Sequence, residues 1–324
     1  MNDRLRTCLI VIGIAALYGL VCRLAFTAEP LEQWLRIVSV SFIYLAPASI
    51  GALVCFAGSK LDRPTDFWAV IAPAITMAIL LFGSILFKLE AFLCALVASP
   101  IAIAMASTGG WLMSLVLKRI NRDRLPLSFA VLLPFAVSPI EQLWEAPHET
   151  RSMHNAVTIH ASPETIWQHI QQVEAIKPDE LPNQWIYLLD FPRPIAATLD
   201  KPGVGGRRLA TFERNVSFFE VVTEWQPFQR LSFTIEADPA FVPHTAFDQH
   251  IIVGGRFYDV LDGTYEIEPL QGGKCILHLS STHRLSTQFN WYTGWWSEWV
   301  MNQIQGSILE VIRKRCETSP SDPS

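Results

Sequence analysis

The stretch "NAVTIHASPETIWQHIQQ" (residues 155–172) has the pattern of a strand that passes directly into a short helix. Apolar and polar side chains alternate over residues 155–161, and this alternation predicts a strand. Ser162 is a favourable N-cap, and Pro163 suits the first helical position because the amide that proline lacks would have no acceptor there. The helix that follows has one apolar stripe, formed by Ile166, Trp167 and Ile170.

Further strands follow this unit along the polar part of the chain. They are separated by turn sequences such as "DKPGVGG", "EWQPFQ" and "LQGG". The predicted strands are residues 193–199, 206–213, 216–225, 229–237, 255–268 and 273–284. A long helix is predicted over residues 289–317, with Ser286 or Thr287 as its cap. This order predicts an α+β helix-grip fold, in which an antiparallel sheet surrounds a long C-terminal helix.

Three segments give the pattern a resemblance to a known family. "VTIHASPETIW" (157–167), the "GGR" hairpin (205–207) and the closing "STHRLSTQFNWYTGWW" (281–296) resemble the START-like (SRPBCC) superfamily, in particular its polyketide cyclase/dehydrase-type branch. The resemblance covers about residues 150–318. It implies an apolar cavity between the sheet and the last helix. It does not imply one function, since members of the superfamily include lipid carriers, ligand sensors and a few cyclases.

The other part of the chain is apolar enough to suggest a membrane. A bilayer-spanning helix needs about 20 mostly apolar residues. Candidate spans are residues 7–27, 37–58, 67–87, 91–117 and 126–143. In the fourth, the "STGGW" segment predicts a kink or a close helix contact. We therefore predict a transmembrane region of four to five spans over residues 1–144, a START-like domain over 150–318 and a disordered tail over 319–324.

Basic residues in the loops predict the orientation of these spans. With the N-terminus in the cytoplasm, eight Lys and Arg side chains lie inside and three lie outside. The inside set is Arg4, Arg6, Lys60, Arg63, Lys118, Arg119, Arg122 and Arg124, and the outside set is Arg23, Arg36 and Lys88. The fifth span is short and contains three prolines. If it crosses, the C-terminal domain is periplasmic, at a bacterial inner membrane; if it re-enters, the domain is cytoplasmic.

The last predicted helix has two different apolar faces. Phe289, Tyr292, Trp295, Trp296 and Trp299 share one side of its first half, whereas Ile304, Ile308, Val311 and Ile312 share another side of its second half. One straight amphipathic helix on one core would not change faces, so the halves are predicted to serve different surfaces. The second half closes the core of the sheet. The aromatic half packs on the membrane helices, lies at the lipid interface, covers the cavity or belongs to the core.

Several side chains are candidates for a site. Ligand-binding candidates are Phe219, Arg256, Tyr258, His278, Tyr292 and Trp296, and membrane-interface candidates are Trp291, Trp295 and Trp299. The segment "ADPAFVPHTAFDQHIIVGG" is a candidate entrance flap. Its His244, Asp248 and His250 lack a metal-ligand spacing, so no metal and no cofactor are predicted. Cys275 and Cys316 are able to pair if the domain lies in an oxidising compartment.

These patterns lead to a hypothesis of a membrane-anchored protein that binds a hydrophobic ligand, such as a lipid or an isoprenoid. Its partners are then this small molecule and the membrane. The net charge of −5 and the lack of a basic stripe argue against nucleic acid. One alternative is a cyclase- or dehydratase-like enzyme in which His278 or Asp259 moves protons. Another is an interaction module whose cavity is filled by side chains. The oligomeric state and the ligand are not fixed by the sequence.

Overall fold

The computed structural model describes residues 3–31, 33–59, 65–120, 127–237 and 253–318, and the chain divides into two compact units, Met1–Ala146 and Pro147–Ser324. Most of the predicted entrance flap, with His244, Asp248 and His250, lies outside the described residues, as does the predicted tail.

The first unit contains five α-helices in its described part. They are α1 (Asp3–Thr27), α2 (Ala46–Gly58, entered through a π-helical turn over Ser41–Leu45), α3 (Asp66–Leu86), α4 (Phe92–Arg119) and α5 (Leu127–Glu141). Four segments are long and apolar enough to cross a membrane, namely Leu9–Thr27, Ser41–Gly58, Asp66–Leu86 and Phe92–Arg119. Helix α5 is a shorter apolar helix.

Helix α5 runs in the same direction as α1. The Tyr18 hydroxyl donates a hydrogen bond to the carbonyl oxygen of Val131. Farther along both helices, the rings of Phe26 and Phe135 lie 5.5 Å apart between centroids. The last residue of α5, Glu141, accepts a hydrogen bond from the amide of Ser41 at 3.0 Å. This contact lies beside the end of α1. The chain therefore leaves the helical unit at the end toward which α1 runs.

Helices α2 and α4 touch through glycine. A Cβ built on Gly51 would lie 1.8 Å from the carbonyl oxygen of Ala106, and one on Gly109 would lie 1.9 Å from that of Ala48. An added Cβ would overlap the opposite backbone, because at these points the two backbones meet without an intervening side chain. The close helix contact predicted for the "STGGW" segment is confirmed.

The second unit is a seven-stranded antiparallel sheet with a long closing helix. Its elements are β1 (Glu149–Ile159), α6 (Pro163–Gln171), α7 (Trp185–Leu188), β2 (Pro194–Leu199), β3 (Arg207–Phe212), β4 (Ser217–Gln226), β5 (Arg230–Glu236), β6 (Tyr258–Leu270), β7 (Lys274–Leu285) and α8 (Asn290–Thr318). The strand order is β1-β7-β6-β5-β4-β3-β2. This arrangement confirms the predicted helix-grip fold.

Two of the differences from the prediction have a clear cause. Strand β1 begins at Glu149, six residues earlier than predicted, because it pairs with β7 from Glu149–Leu285 to Ile159–Cys275. Helix α7 was not predicted, because a single turn carries too little periodicity to be recognised. The predicted cap of α6 is confirmed, since the Ser162 hydroxyl accepts a hydrogen bond from the amide of Thr165 at 3.4 Å.

One continuous stripe of α8 is buried against the sheet. It consists of Asn290, Gly294, Ser297, Met301, Gln305, Leu309, Ile312 and Cys316. We call the face of the sheet that contacts this stripe the inner face, and the opposite face the outer face. Leu309 and Ile312 pack in one core with Ile166 of α6 and Leu277 of β7. The second half of α8 therefore closes the core, as predicted. Cys275 and Cys316 belong to this core as free thiols.

Candidate functional site

A buried charged pair lies on the inner face of the sheet. Arg208 of β3 stands opposite Glu220 of β4, and only 3% and 7% of these residues are exposed. Arg208 Nη1 donates a hydrogen bond to Glu220 Oε2 at 2.5 Å. The guanidinium carbon lies 5.5 Å from the ring centroid of Phe233 and 6.0 Å from that of Tyr265. The pair is thus enclosed by aromatic rings rather than by water.

The guanidinium of Arg208 has unused hydrogen-bonding capacity. Burial acts to lower the pKa of Arg208, but the charge of Glu220 and the neighbouring Tyr265 outweigh it and raise that pKa, so the side chain stays protonated. Burial raises the pKa of Tyr265, which keeps its phenol neutral. Arg208 Nε is buried and has no hydrogen-bond partner within the described parts of the chain. A buried donor of this kind suits a carboxylate or phosphate oxygen.

More polar groups lie under the first half of α8. His283 Nε2 is 3.0 Å from the hydroxyl of Ser297. Gln305 donates to the hydroxyl of Ser281 at 2.7 Å and accepts from Asn155 at 2.7 Å. Burial lowers the pKa of His283, so this imidazole is neutral near pH 7. The inner face is therefore apolar beneath the second half of α8 and polar beneath the first.

The predicted ligand-binding residues do not share one face. Tyr258 is on the inner face, where its ring centroid lies 5.7 Å from that of His283, and burial raises the pKa of its phenol. Phe219 and His278 are on the outer face, because their strand neighbours Glu220 and Leu277 are the residues that point inward. The structure therefore does not support the predicted roles of Phe219 and His278 in the cavity.

Two more candidates also lie away from the inner face. Arg256 is exposed. Asp259 stands opposite Arg284, on the outer side of β6. Burial raises the pKa of the Asp259 carboxyl, and the positive charge of Arg284 opposes that shift. This geometry does not support an acid–base role for Asp259 in a cavity on the inner face.

An inward-facing arginine in β3 could have been predicted from the sequence. Arg207 and Arg208 are adjacent in a strand, and adjacent strand residues point to opposite faces. One of them must therefore point toward α8. Its partner Glu220 was not recognisable, because the pairing depends on the register between β3 and β4.

The aromatic half of α8 points away from the sheet. We call Trp291, Tyr292, Trp295, Trp296 and Trp299 the aromatic patch. Trp291 and Trp295 are 69% and 59% exposed. The rings touch edge to face, with centroids 4.8 Å apart for Trp295 and Trp296 and 6.2 Å apart for Trp296 and Trp299. This placement of Trp291 and Trp295 fits neither the core nor the inner face, whereas Tyr292, Trp296 and Trp299 are half-buried and lie outside the stripe of α8 that packs on the sheet.

The aromatic patch lies at the point where the chain enters the second unit. Asn290, the first residue of α8, donates a hydrogen bond to the carbonyl oxygen of Pro147 at 2.7 Å. His148 Nδ1 lies 2.7 Å from the hydroxyl of Ser286. In the sequence, Pro147 follows the end of α5 at Glu141 by six residues.

Comparisons with known proteins concern the fold. No family model and no curated protein matches the chain. Among solved structures, norcoclaurine synthase from Thalictrum flavum, in complex with dopamine and hydroxybenzaldehyde, is 13% identical over 54% of this chain and 91% of that chain, with a TM-score of 0.33. XoxI from Bacillus cereus is 16% identical over 52% of this chain and 94% of that chain, with a TM-score of 0.28.

A third solved structure gives similar values. The Aha1 dimer from Colwellia psychrerythraea is 12% identical over 53% of this chain and 99% of that chain, with a TM-score of 0.28. Identities and TM-scores this low carry no inference about function. The strand order and the closing helix decide the fold class instead. The fold is START-like.

Proposed function

We propose that this protein is a membrane-anchored binding protein for a hydrophobic ligand with an anionic head group, held between α8 and the inner face. The observation that carries the proposal is the buried guanidinium of Arg208, whose Nε donor has no partner in the described residues. Binding sites of this kind are mostly apolar and contain a few polar groups that orient the ligand. The apolar part of the ligand contributes about 25 cal/mol for each Å² that it buries.

The alternative interpretation is that Arg208 and Glu220 form an ion pair with a purely structural role. A buried pair is weak evidence for stability, because the cost of removing two charges from water offsets much of their attraction. A pair kept for structure alone also leaves no reason for an unpaired guanidinium donor, which costs further free energy when buried. Ligand binding accounts for both features.

The helical unit supplies the membrane anchor in this proposal. Four of its segments have the length and hydropathy of membrane spans. Because α5 runs parallel to α1, a cytoplasmic N-terminus would place the second unit on the opposite, periplasmic side. We further propose that the aromatic patch contacts the lipid interface, where Trp and Tyr are enriched in membrane proteins.

An enzyme remains the second candidate. A neutral histidine can accept a proton, and His283 stands beside Tyr258 on the inner face. A cyclase- or dehydratase-like reaction would use these two groups in place of His278 and Asp259. Product formation that is lost in His283→Gln, with ligand retention unchanged, would favour this alternative.

The proposal is tested by lipid retention in the full chain. We expect native mass spectrometry from nanodiscs to show one tightly held anionic lipid on the wild type. The double variant Arg208→Met/Glu220→Met should lose it, because the donor is gone while the paired charges are removed together. Arg207→Met is the matched control, since Arg207 lies on the outer face over the ring of Phe219 at 5.3 Å. Equal retention by the double variant and the control would reject the site.

The aromatic patch gives a separate prediction. In nanodiscs that contain brominated phospholipid, part of the tryptophan fluorescence should be quenched by the lipid. The variant Trp291→Ser/Trp295→Ser should lose a measurable share of this quenching and exchange lipid with vesicles more slowly, while its thermal unfolding stays within a few degrees of the wild type. Trp185→Ser is the control, because Trp185 is 72% exposed and belongs to α7. Quenching that is unchanged in the patch variant would exclude the lipid interface.

A further inference from the structure

Two histidines meet on the outer face of the sheet, away from the proposed ligand site. His154 of β1 stands opposite Ser280 of β7, and His278 of β7 stands opposite Ala156, so the two histidines are diagonal neighbours. His154 Nε2 and His278 Nδ1 are 3.3 Å apart, and the ring centroids are 5.2 Å apart. His154 is exposed, and 23% of the His278 side chain is exposed to solvent.

The other nitrogen of each imidazole is already oriented by a neighbour. His278 Nε2 is 3.0 Å from Glu268 Oε2, and His154 Nδ1 is 2.9 Å from the hydroxyl of Ser280. An ionised carboxylate only accepts hydrogen bonds, so the neutral form of His278 carries its proton on Nε2 and a lone pair on Nδ1. Metal-binding histidines commonly have this arrangement, in which the ring nitrogen that does not bind the metal donates a hydrogen bond to a carboxylate or another oxygen.

We propose that His154 Nε2 and His278 Nδ1 form a binding site for a divalent transition metal ion. Two nitrogens that bind one tetrahedral ion at about 2.0–2.1 Å lie about 3.3–3.4 Å apart, which is the separation observed between these atoms. Neutral imidazole suits zinc and copper, and copper(II) has the highest affinity in the divalent series. The tetrahedral separation fits Zn²⁺ as the ligand, and Cu²⁺, which prefers a tetragonal geometry, serves as a probe that the two side chains can hold after a small shift.

Binding requires only a change of tautomer. Without a metal, the Ser280 hydroxyl donates to His154 Nδ1, and His154 Nε2–H donates to His278 Nδ1, so all the groups are satisfied. When the ion binds, the proton of His154 moves from Nε2 to Nδ1, and the Ser280 hydroxyl turns to accept it. Both lone pairs, on His154 Nε2 and His278 Nδ1, then face the ion.

The protein supplies two ligands, and water completes the coordination. Over the described ranges, no group of three or more His, Cys, Asp or Glu side chains gathers around one point. The open positions are therefore available to a second ligand. Ser280 also lines a polar depression of about 440 Å³ on this sheet, with Ser152, Thr264 and Thr282 among its walls. A small oxygen-containing ligand on the ion has room there.

The test is a metal titration of the tag-free full chain in nanodiscs. With one equivalent of Cu²⁺, electron paramagnetic resonance should show hyperfine coupling to two imidazole nitrogens, and isothermal titration with Zn²⁺ should give one site. We expect His278→Gln to weaken Zn²⁺ binding about 100-fold or more and to remove the two-nitrogen signal. Glu268→Gln should weaken it about 10-fold, as changes to such outer partners commonly do.

His160→Gln is the matched control, because His160 is an exposed histidine at the end of β1 and outside the pair. It should bind Zn²⁺ as the wild type does. Affinity that is the same in the wild type and His278→Gln, or a copper signal that lacks two coupled nitrogens, would overturn the proposal. The pair would then be a hydrogen-bonded contact between β1 and β7.

Discussion

Replacing Arg208 alone by methionine should destabilise the second unit by about 3–5 kcal/mol, because the carboxylate of Glu220 is left buried without a counter-charge. Glu220 is 7% exposed, and its nearest charged partner on the inner face is Arg208, at 2.5 Å. Replacing both residues by methionine should cost little or even stabilise the unit, because packed apolar side chains then fill the space of the pair. The measurement is denaturant unfolding of the full chain in detergent.

A double-mutant cycle separates this coupling from other effects. We expect the double variant to lose much less stability than the two single variants added together, so that the interaction energy (the double loss minus the two single losses) has a magnitude of about 3 kcal/mol or more. Arg207→Met, on the outer face, should change the free energy of unfolding by about 0.5 kcal/mol or less. If the double variant loses as much stability as the two single variants added together, the two charges are not coupled. The same double variant reports on the ligand, since it stays folded while lacking the guanidinium.

The strands and the closing helix were predictable because they depend on local patterns. Alternating polarity and the turn sequences determine the antiparallel strands, and the apolar residues of the second half of α8 determine the surface that closes the core. The shift of the apolar residues from one side of α8 to another was also visible in the sequence, although one continuous stripe of the helix packs on the sheet. The structure supplies its cause: Asn290, Gly294 and Ser297 are the small or polar residues that pack on the sheet, so the aromatic patch points outward.

The faces of individual strand residues were less predictable. Phe218 and Phe219 are adjacent and both apolar, so alternation does not decide which of them points inward. A shift of one residue in register reverses every side chain of a strand. This ambiguity explains why Phe219 was predicted to face the wrong side, whereas the regular alternation of His278 with Leu277 and Leu279 already indicated the outer face for His278. The pairing of Arg208 with Glu220 depends on the β3–β4 register, which is a tertiary property.

The second large effect is expected in the helical unit, where Gly109→Val should prevent α2 and α4 from packing. The added Cβ would lie 1.9 Å from the carbonyl oxygen of Ala48, and backbone cannot yield as a flexible side chain can. We expect a loss of about 3 kcal/mol or more, at or beyond the upper end for an overpacked site. The readouts are the thermal midpoint and the fraction of the detergent-solubilised chain that elutes as one species. Gly83→Val is the control, because a Cβ at Gly83 meets nothing within 4 Å.

A second substitution shows whether the two glycines act as one contact. Gly51 faces Ala106, and Gly109 faces Ala48, so both lie on one antiparallel seam between α2 and α4. If either valine already separates the helices, Gly51→Val/Gly109→Val should be hardly worse than each single variant, since contacts that share a seam are not additive. Strictly additive losses would mean that the helices yield locally at each glycine. A Gly109→Val protein as stable as Gly83→Val would show that this seam does not hold the bundle together.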